Sequence, residues 1–155
     1  MKAVRRSVRH VEDIMTQRPT CIGMGANLRE LAETLEWDHI SGLPVVDDQE
    51  KLIGVVSKTD LVRRLLDGPD LSGQMGFFDL LESVGRSRNV RVDEFGSVED
   101  VMSTEPITAR PDEPIGVVAR RMAEERVHRV IVVDDQHRPI GVVTTLDLLK
   151  QFPVD

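Results

Sequence analysis

Two stretches of this chain repeat each other without a gap, and that duplication limits what it can fold into more than any other feature. Val11-Glu12-Asp13-Ile14-Met15 returns as Val98-Glu99-Asp100-Val101-Met102, and Val45-Val46-Asp47-Asp48-Gln49 as Val132-Val133-Asp134-Asp135-Gln136. Ile53-Gly54-Val55-Val56 returns as Ile140-Gly141-Val142-Val143, and Asp60-Leu61 as Asp147-Leu148. The offset is 87 positions throughout, Val11 to Val98, and about a third of the aligned positions are identical. Solenoids generally need three or more copies to bury their faces, so two copies point to a pair related by an approximate twofold axis.

Each copy reads as strand, helix, strand, strand, helix, an α+β arrangement. After Pro19 comes a short extended piece, Thr20 to Ile22. Leu28, Leu31, Ala32 and Leu35 then fall at helical spacing and make one apolar stripe, matched by Ile115, Val118, Ala119 and Met122. Leu43 to Val46 is a short apolar strand, Asp47 to Lys51 a polar turn, and Leu52 to Val56 a returning strand, which together predict a hairpin. A last helix starts near Ser57 and carries Leu61, Val62 and Leu65. The unbroken run Val130-Ile131-Val132-Val133 predicts a strand covered on both faces. One copy alone, about 55 residues, would leave much of that surface wet, so the two copies are expected to pack together.

The predicted division is therefore a tail (1–10), a first motif (11–66), a linker (67–97) and a second motif (98–155). The tail carries Lys2, Arg5, Arg6 and Arg9 with no apolar run behind them, so it does not read as a signal peptide. The linker is rich in Gly, Ser and charge. Met75, Phe77, Phe78, Leu80, Leu81 and Val84 in its middle predict one amphipathic helix that packs back on the module or meets a partner.

With no Tyr, one Trp and four Phe, the core must be aliphatic. A net charge of −7 argues against a nucleic-acid binder, which would need a basic stripe to neutralise phosphates. It leaves room for a small anion held by a local cluster of cations. No stretch approaches the roughly 20 apolar residues of a membrane span. Cys21 is the only cysteine, which excludes an intrachain disulfide and points to a reducing cytoplasm.

The sharpest local pattern is Gly54-Val55-Val56-Ser57-Lys58-Thr59-Asp60 with its twin Gly141-Val142-Val143-Thr144-Thr145-Leu146-Asp147. Ser or Thr three places before an acid is a helix-capping signature, and Asp in a first turn opposes the helix dipole. A strand that runs into a helix start also offers N–H groups to an anion, with a hydroxyl able to reach phosphate and a carboxylate able to accept ribose hydroxyls. Capping and ligand binding are compatible uses of the same residues.

Taken together, the Val-Glu-Asp-Ile-Met-Thr opening, the Leu-Pro-Val-Val-Asp-Asp strand and turn, and the Gly-Val-Val-Ser-x-x-Asp ending resemble CBS motifs, here as the tandem pair called a Bateman module. The resemblance implies a non-enzymatic regulatory module that binds adenine nucleotides (AMP, ADP or ATP) or S-adenosylmethionine in clefts between the motifs. It implies a homodimer and a protein partner that reads the ligand, with no required cofactor. Asp60 and Asp147 would hold ribose; Ser57 and Thr144, with Lys58 and Thr145 beside them, would approach ribose or phosphate. Thr20, Cys21 and Ile22, and in the second copy Ile107, Thr108 and Ala109, would frame the adenine. Val127-His128-Arg129-Val130 is similar to segments of the gamma subunit of AMP-activated protein kinase that place His and Arg on phosphates, and a guanidinium fork suits phosphate oxygens. The first copy has Ser41 and Gly42 at those places, so one such pair exists per chain.

Nothing else in the chain suggests bond-making chemistry. His10, His39, His128 and His137 lack ligand spacing with Cys or carboxylates, so no metal is expected. No phosphate-binding Gly-x-x-x-x-Gly-Lys loop or serine nucleophile elbow occurs. Asp47-Asp48 and Asp134-Asp135 read as turns. The competing reading is a ligand-free dimeric scaffold in which capping accounts for every Ser and Asp of the motif.

Overall fold

The structure, a computed structural model, describes residues 9–66 and 96–152. The linker helix predicted around Met75–Val84 lies outside the described residues. The fold is α+β. Contacts divide the chain after Pro19 and after Glu105 into two compact units. These cuts do not coincide with the sequence repeats: each unit contains the body of one repeat and the opening segment of the other.

The unit of residues 20–105 holds a three-stranded sheet in the order β2-β3-β4. Strand β2 (Ile22–Gly23) runs parallel to β3 (Gly42–Val46), and β3 pairs antiparallel with β4 (Leu52–Ser57). A parallel neighbour requires a crossover, supplied by α2 (Leu28–Trp37). Asn27 caps that helix, its Oδ1 accepting the Glu30 N–H at 2.8 Å. The predicted stripe Leu28, Leu31, Ala32 and Leu35 is buried against Leu43, Val45 and Val56. Asp47 ties the β3–β4 turn by accepting the N–H groups of Gln49 (2.8 Å) and Lys51 (3.0 Å) on one oxygen. Helix α3 (Lys58–Leu66) follows β4 directly.

The second repeat's opening completes this core. It forms a four-residue helix, α4 (Val98–Val101), whose Val98 is fully buried in the cluster of Leu28 and Leu31. Its Val98 and Glu99 N–H groups donate to the Ala26 and Met24 carbonyls at 2.9 and 3.2 Å. Ser103 then pairs with Val55 through two backbone bonds, at 3.0 and 2.8 Å.

The other unit mirrors this. Its sheet runs β1-β7-β6-β5. Strand β5 (Thr108–Ala109) lies parallel to β6 (Arg129–Val133), which pairs antiparallel with β7 (Pro139–Thr144). Helix α5 (Ile115–Glu125) is the crossover and α6 (Thr145–Leu149) follows β7. The run Val130–Val133 is buried along its whole length, as its unbroken hydrophobicity predicts. Here the first repeat's opening completes the core: Val11 of α1 (Val11–Ile14) is fully buried, and β1 (Thr16–Gln17) adds an antiparallel edge to β7. The strand predicted over Thr20–Ile22 is realised as Ile22–Gly23, starting two residues later.

Candidate functional site

In each unit the strand register brings the predicted ligand residues to one end of the sheet, where the strands start or stop. In the unit of residues 20–105, Gly42 lies opposite Ser57, and Ile22 beside Val45. The Thr20–Cys21 segment before β2, the Ser41–Gly42 start of β3 and the Ser57–Asp60 end of β4 therefore lie at one end of the sheet. The Lys58 N–H donates to the Ser41 carbonyl at 2.9 Å, which pins the start of α3 to that end. In the other unit Arg129 lies opposite Thr144, and Thr108 beside Ile131. The Ile107 carbonyl accepts the Ile131 N–H at 3.2 Å. The His128 carbonyl accepts both the N–H (3.0 Å) and the hydroxyl (3.2 Å) of Thr145.

The Ser/Thr and Asp of each motif form a reciprocal cap. The Asp60 Oδ2 accepts the Ser57 N–H at 2.8 Å and lies 2.9 Å from the Ser57 Oγ, while the Asp60 N–H donates to that Oγ at 3.2 Å. Thr144 and Asp147 repeat this at 2.8, 3.0 and 3.4 Å. A carboxylate can only accept, so each hydroxyl donates to its Asp. One oxygen of each carboxylate does all this work. The other, Oδ1 of Asp60 and of Asp147, makes no hydrogen bond among the described residues and is the group able to accept hydroxyls of a sugar diol.

Cations differ between the two sheet ends. Lys58 is the first residue of α3, half-buried, where the second copy has Thr145. Arg129 stands half-buried at the start of β6, and burial pulls its guanidinium below its usual value. His128 is exposed. Cys21 is half-buried; burial pushes its thiol pKa up, and the nearby Glu50 charge adds to this. Ile22 and Ala109 belong to the cores, so their side chains are committed there and only their backbone remains for a ligand.

Sequence reasoning missed one positioning pair. Arg121 of α5 donates through Nη1 to the Thr108 carbonyl at 2.8 Å and forks onto Glu113 at 2.5 and 3.1 Å. This fixes the Ile107–Ala109 segment in a way the first copy lacks, since Thr34 occupies the place matching Arg121. The Arg121 hydrogen bond holds the Glu113 carboxyl below the usual range. The spacing Glu113 to Arg121 carries no motif, so only the fold brings the two together. Among the described residues no group of His, Cys, Asp and Glu side chains is arranged to hold a metal.

A duplicated β-α-β-β-α body with a capped Ser/Thr–Asp at each strand-to-helix junction defines a class of small tandem ligand-binding modules. The CBS domain family model matches residues 11–67 and 98–153, and the chain belongs to that family. It is 27% identical over 151 residues, 97% of its length, to the L-aspartate semialdehyde sulfurtransferase of Methanocaldococcus jannaschii, of which it spans 25%. It is 32% identical over 112 residues, 72% of its length, to the human 5'-AMP-activated protein kinase subunit gamma-3, spanning 20% of that protein. The chain thus covers a quarter or less of these two relatives. Among solved structures, the CBS domain pair of protein MJ0100 in complex with 5'-methylthioadenosine and S-adenosyl-L-methionine superposes with a TM-score of 0.71, 26% identity and coverage of 92% of this chain and 94% of that one. CBSX2 from Arabidopsis thaliana in complex with AMP gives 0.69 and 26%, covering 91% and 93%.

Proposed function

We propose that this chain is a non-enzymatic regulatory module that binds an adenosine-bearing ligand: AMP, ADP, ATP or S-adenosylmethionine. The observation that carries this reading is the division of labour in Asp60 and Asp147, where one oxygen holds the helix start and the other is left for a ribose diol. Lys58 serves phosphate or another anionic group in the first set, and Arg129 with His128 in the second. Thr20, Cys21, Ile22 and Ile107, Thr108, Ala109 supply the adenine with backbone polar groups and apolar cover. The adenosyl ligands of the two similar CBS pairs support the same class. Within this reading the two repeats (11–66 and 98–155) and the linker (67–97) work as one unit in the cytoplasm, as a homodimer that reports to a protein partner. Exposed Leu146, Leu149 and Phe152 on and after α6 support self-association. Ligand binding shifts the population of a state the partner recognises, by no more than the ligand's differential affinity for it.

A second reading has its own observation. The Asp cap recurs at α1 and α4, where Asp13 accepts the His10 N–H and Asp100 the Ser97 N–H, each at 2.8 Å, and no ligand role is assigned. Capping alone could explain Asp60 and Asp147, leaving a ligand-free scaffold. Asp60→Asn and Asp147→Asn separate the two. Asn keeps an oxygen for the cap but loses the second acceptor, so calorimetry with AMP, ADP, ATP and S-adenosylmethionine should show affinity falling about tenfold or more, about 1.4 kcal/mol. Stability should change by under about 1 kcal/mol. Folded protein that ignores all four ligands would leave only the scaffold.

A further inference from the structure

The C-terminal end of α2 carries a surface that neither the fold nor the nucleotide reading requires. Trp37, the only tryptophan, is 86% exposed. Glu33 lies one turn back along the helix and Glu36 immediately before Trp37, both exposed and outside the buried stripe of Leu28, Leu31 and Leu35. With His39 these residues line a shallow depression of about 470 Å³. No basic side chain occupies the last turn of the helix. Its carbonyl end adds a partial negative charge, and Asp38, the C-cap, adds another acid. His39 is in the left-handed region (φ 52°), which turns the chain back so that Ile40 rejoins the core and leaves the indole standing outward.

The duplication is an internal control. At the matching places the second copy has Arg120, Ala123 and Glu124 for Glu33, Glu36 and Trp37. The helix folds there with no aromatic at the place of Trp37 and no acid at the places of Glu33 and Glu36, so the first copy's surface is not a by-product of the fold. An exposed indole ringed by carboxylates at a helix C-terminus fits one chemistry: a cation that can stack on the ring while its N–H groups reach the acids. A planar guanidinium does both.

We propose that Trp37, Glu33 and Glu36 form a docking point for an arginine-bearing segment of a partner protein, independent of nucleotide binding. The probe is a twelve-residue peptide of alternating arginine and serine, titrated into the full chain at low salt. It is read by Trp37 fluorescence and by calorimetry. Saturable binding is expected, with a fluorescence change, about tenfold weaker for Trp37→Ala and for Glu33→Gln/Glu36→Gln by calorimetry, and weaker still as salt rises. The control Glu124→Gln/Glu125→Gln removes the same charge from the other unit. An equal loss in that control would reduce the effect to the net charge of −7 and overturn the proposal. Absence of binding would overturn it as well. If a peptide of residues 1–10, with Lys2, Arg5, Arg6 and Arg9, binds tighter than the probe, the occupant is a second copy of this chain and the partner assignment fails.

Discussion

Gly54→Ala should destabilise the protein far more than its repeat partner Gly141→Ala, because the two glycines are crowded by different things. A Cβ on Gly54 would lie 2.6 Å from the Ser103 carbonyl oxygen and 2.9 Å from the Met102 sulfur. The first of these is backbone, held by the two bonds between Ser103 and Val55, and cannot retreat without breaking them. At Gly141 every close atom belongs to the Met15 side chain, with Cγ at 2.9 Å and Cβ at 3.2 Å, and the thioether end nearest of all. An overpacked methyl costs about 1–3 kcal/mol. Parting the Val55–Ser103 bridge adds about 0.5–1.5 kcal/mol for each bond. Replacing glycine returns about 0.4–1 kcal/mol by restricting the unfolded chain. At the middle of each range the net is about 3 kcal/mol for Gly54→Ala and about 1 kcal/mol for Gly141→Ala, where a flexible methionine can swing aside. Urea unfolding followed by circular dichroism measures both. Adding Met15→Ala should recover much of the Gly141→Ala loss, whereas Met102→Ala should not rescue Gly54→Ala. If Gly54→Ala lands within about 0.5 kcal/mol of the parent, or Met102→Ala rescues it, the backbone-clash reasoning is wrong.

Two further outcomes follow from local electrostatics and backbone geometry. Glu113, Asp100 and Asp134 are all held below the usual carboxylate range, chiefly by Arg121, by the Ser97 N–H and by the Arg138 N–H respectively. A lowered folded pKa means the stabilisation is present above the unfolded value and is lost as pH falls through the folded one. Acid should therefore weaken the fold below about pH 4, where free carboxylates titrate. Arg121→Met should flatten that acid limb and cost about 1 kcal/mol at pH 7, the pair being only 33% and 23% exposed. An unchanged pH profile of the urea midpoint in Arg121→Met would remove Glu113 from the account. Separately, Arg126 caps α5 with φ 56°, a left-handed position that favours glycine. Arg126→Gly should raise the melting temperature by a few degrees, worth about 1 kcal/mol, and a lower melting temperature would show that the arginine makes contacts that outweigh its strain.

The repeat and its periodicities made most of the architecture readable. The stripe Leu28, Leu31, Ala32, Leu35, the hairpin across Asp47–Lys51 and the buried run Val130–Val133 all fold as their patterns dictate, because burial and turn chemistry are local properties of sequence. The cap role of Asp60 and Asp147 was likewise visible in the three-residue spacing. What could not be read was which repeat each opening completes. Val11 and Val98 are equivalent in sequence, and nothing in Val-Glu-Asp-Ile-Met says that each valine is buried in the other copy's core. The Arg121–Glu113 clamp on the Thr108 carbonyl is invisible for a similar reason: it spans a loop and a crossover helix and has no counterpart in the first copy.

The exchanged openings also change why the motif comes twice. A lone body of either repeat lacks the valine at its centre, fully buried in both cases and worth about 1.5–3 kcal/mol of burial. It also lacks the strand edge that Thr16–Gln17 supplies to β7 and the bridge that Ser103 supplies to β4. Glycine in the Gly-Val-Val motif belongs to the same device: Gly54 and Gly141 leave the space that Met102 and Met15 fill as the openings cross over. The glycine that opens the Gly-Val-Val motif is thus explained by packing, while the Ser/Thr and Asp that end it form the reciprocal cap of the following helix. Within seven residues the motif first fastens one repeat's opening to the other's body and then caps the helix that follows. The seat of one repeat's opening and the cap of the next helix thus lie on the same strand, β4 in one unit and β7 in the other, so the glycine and the Ser/Thr–Asp pair are two parts of one packing device.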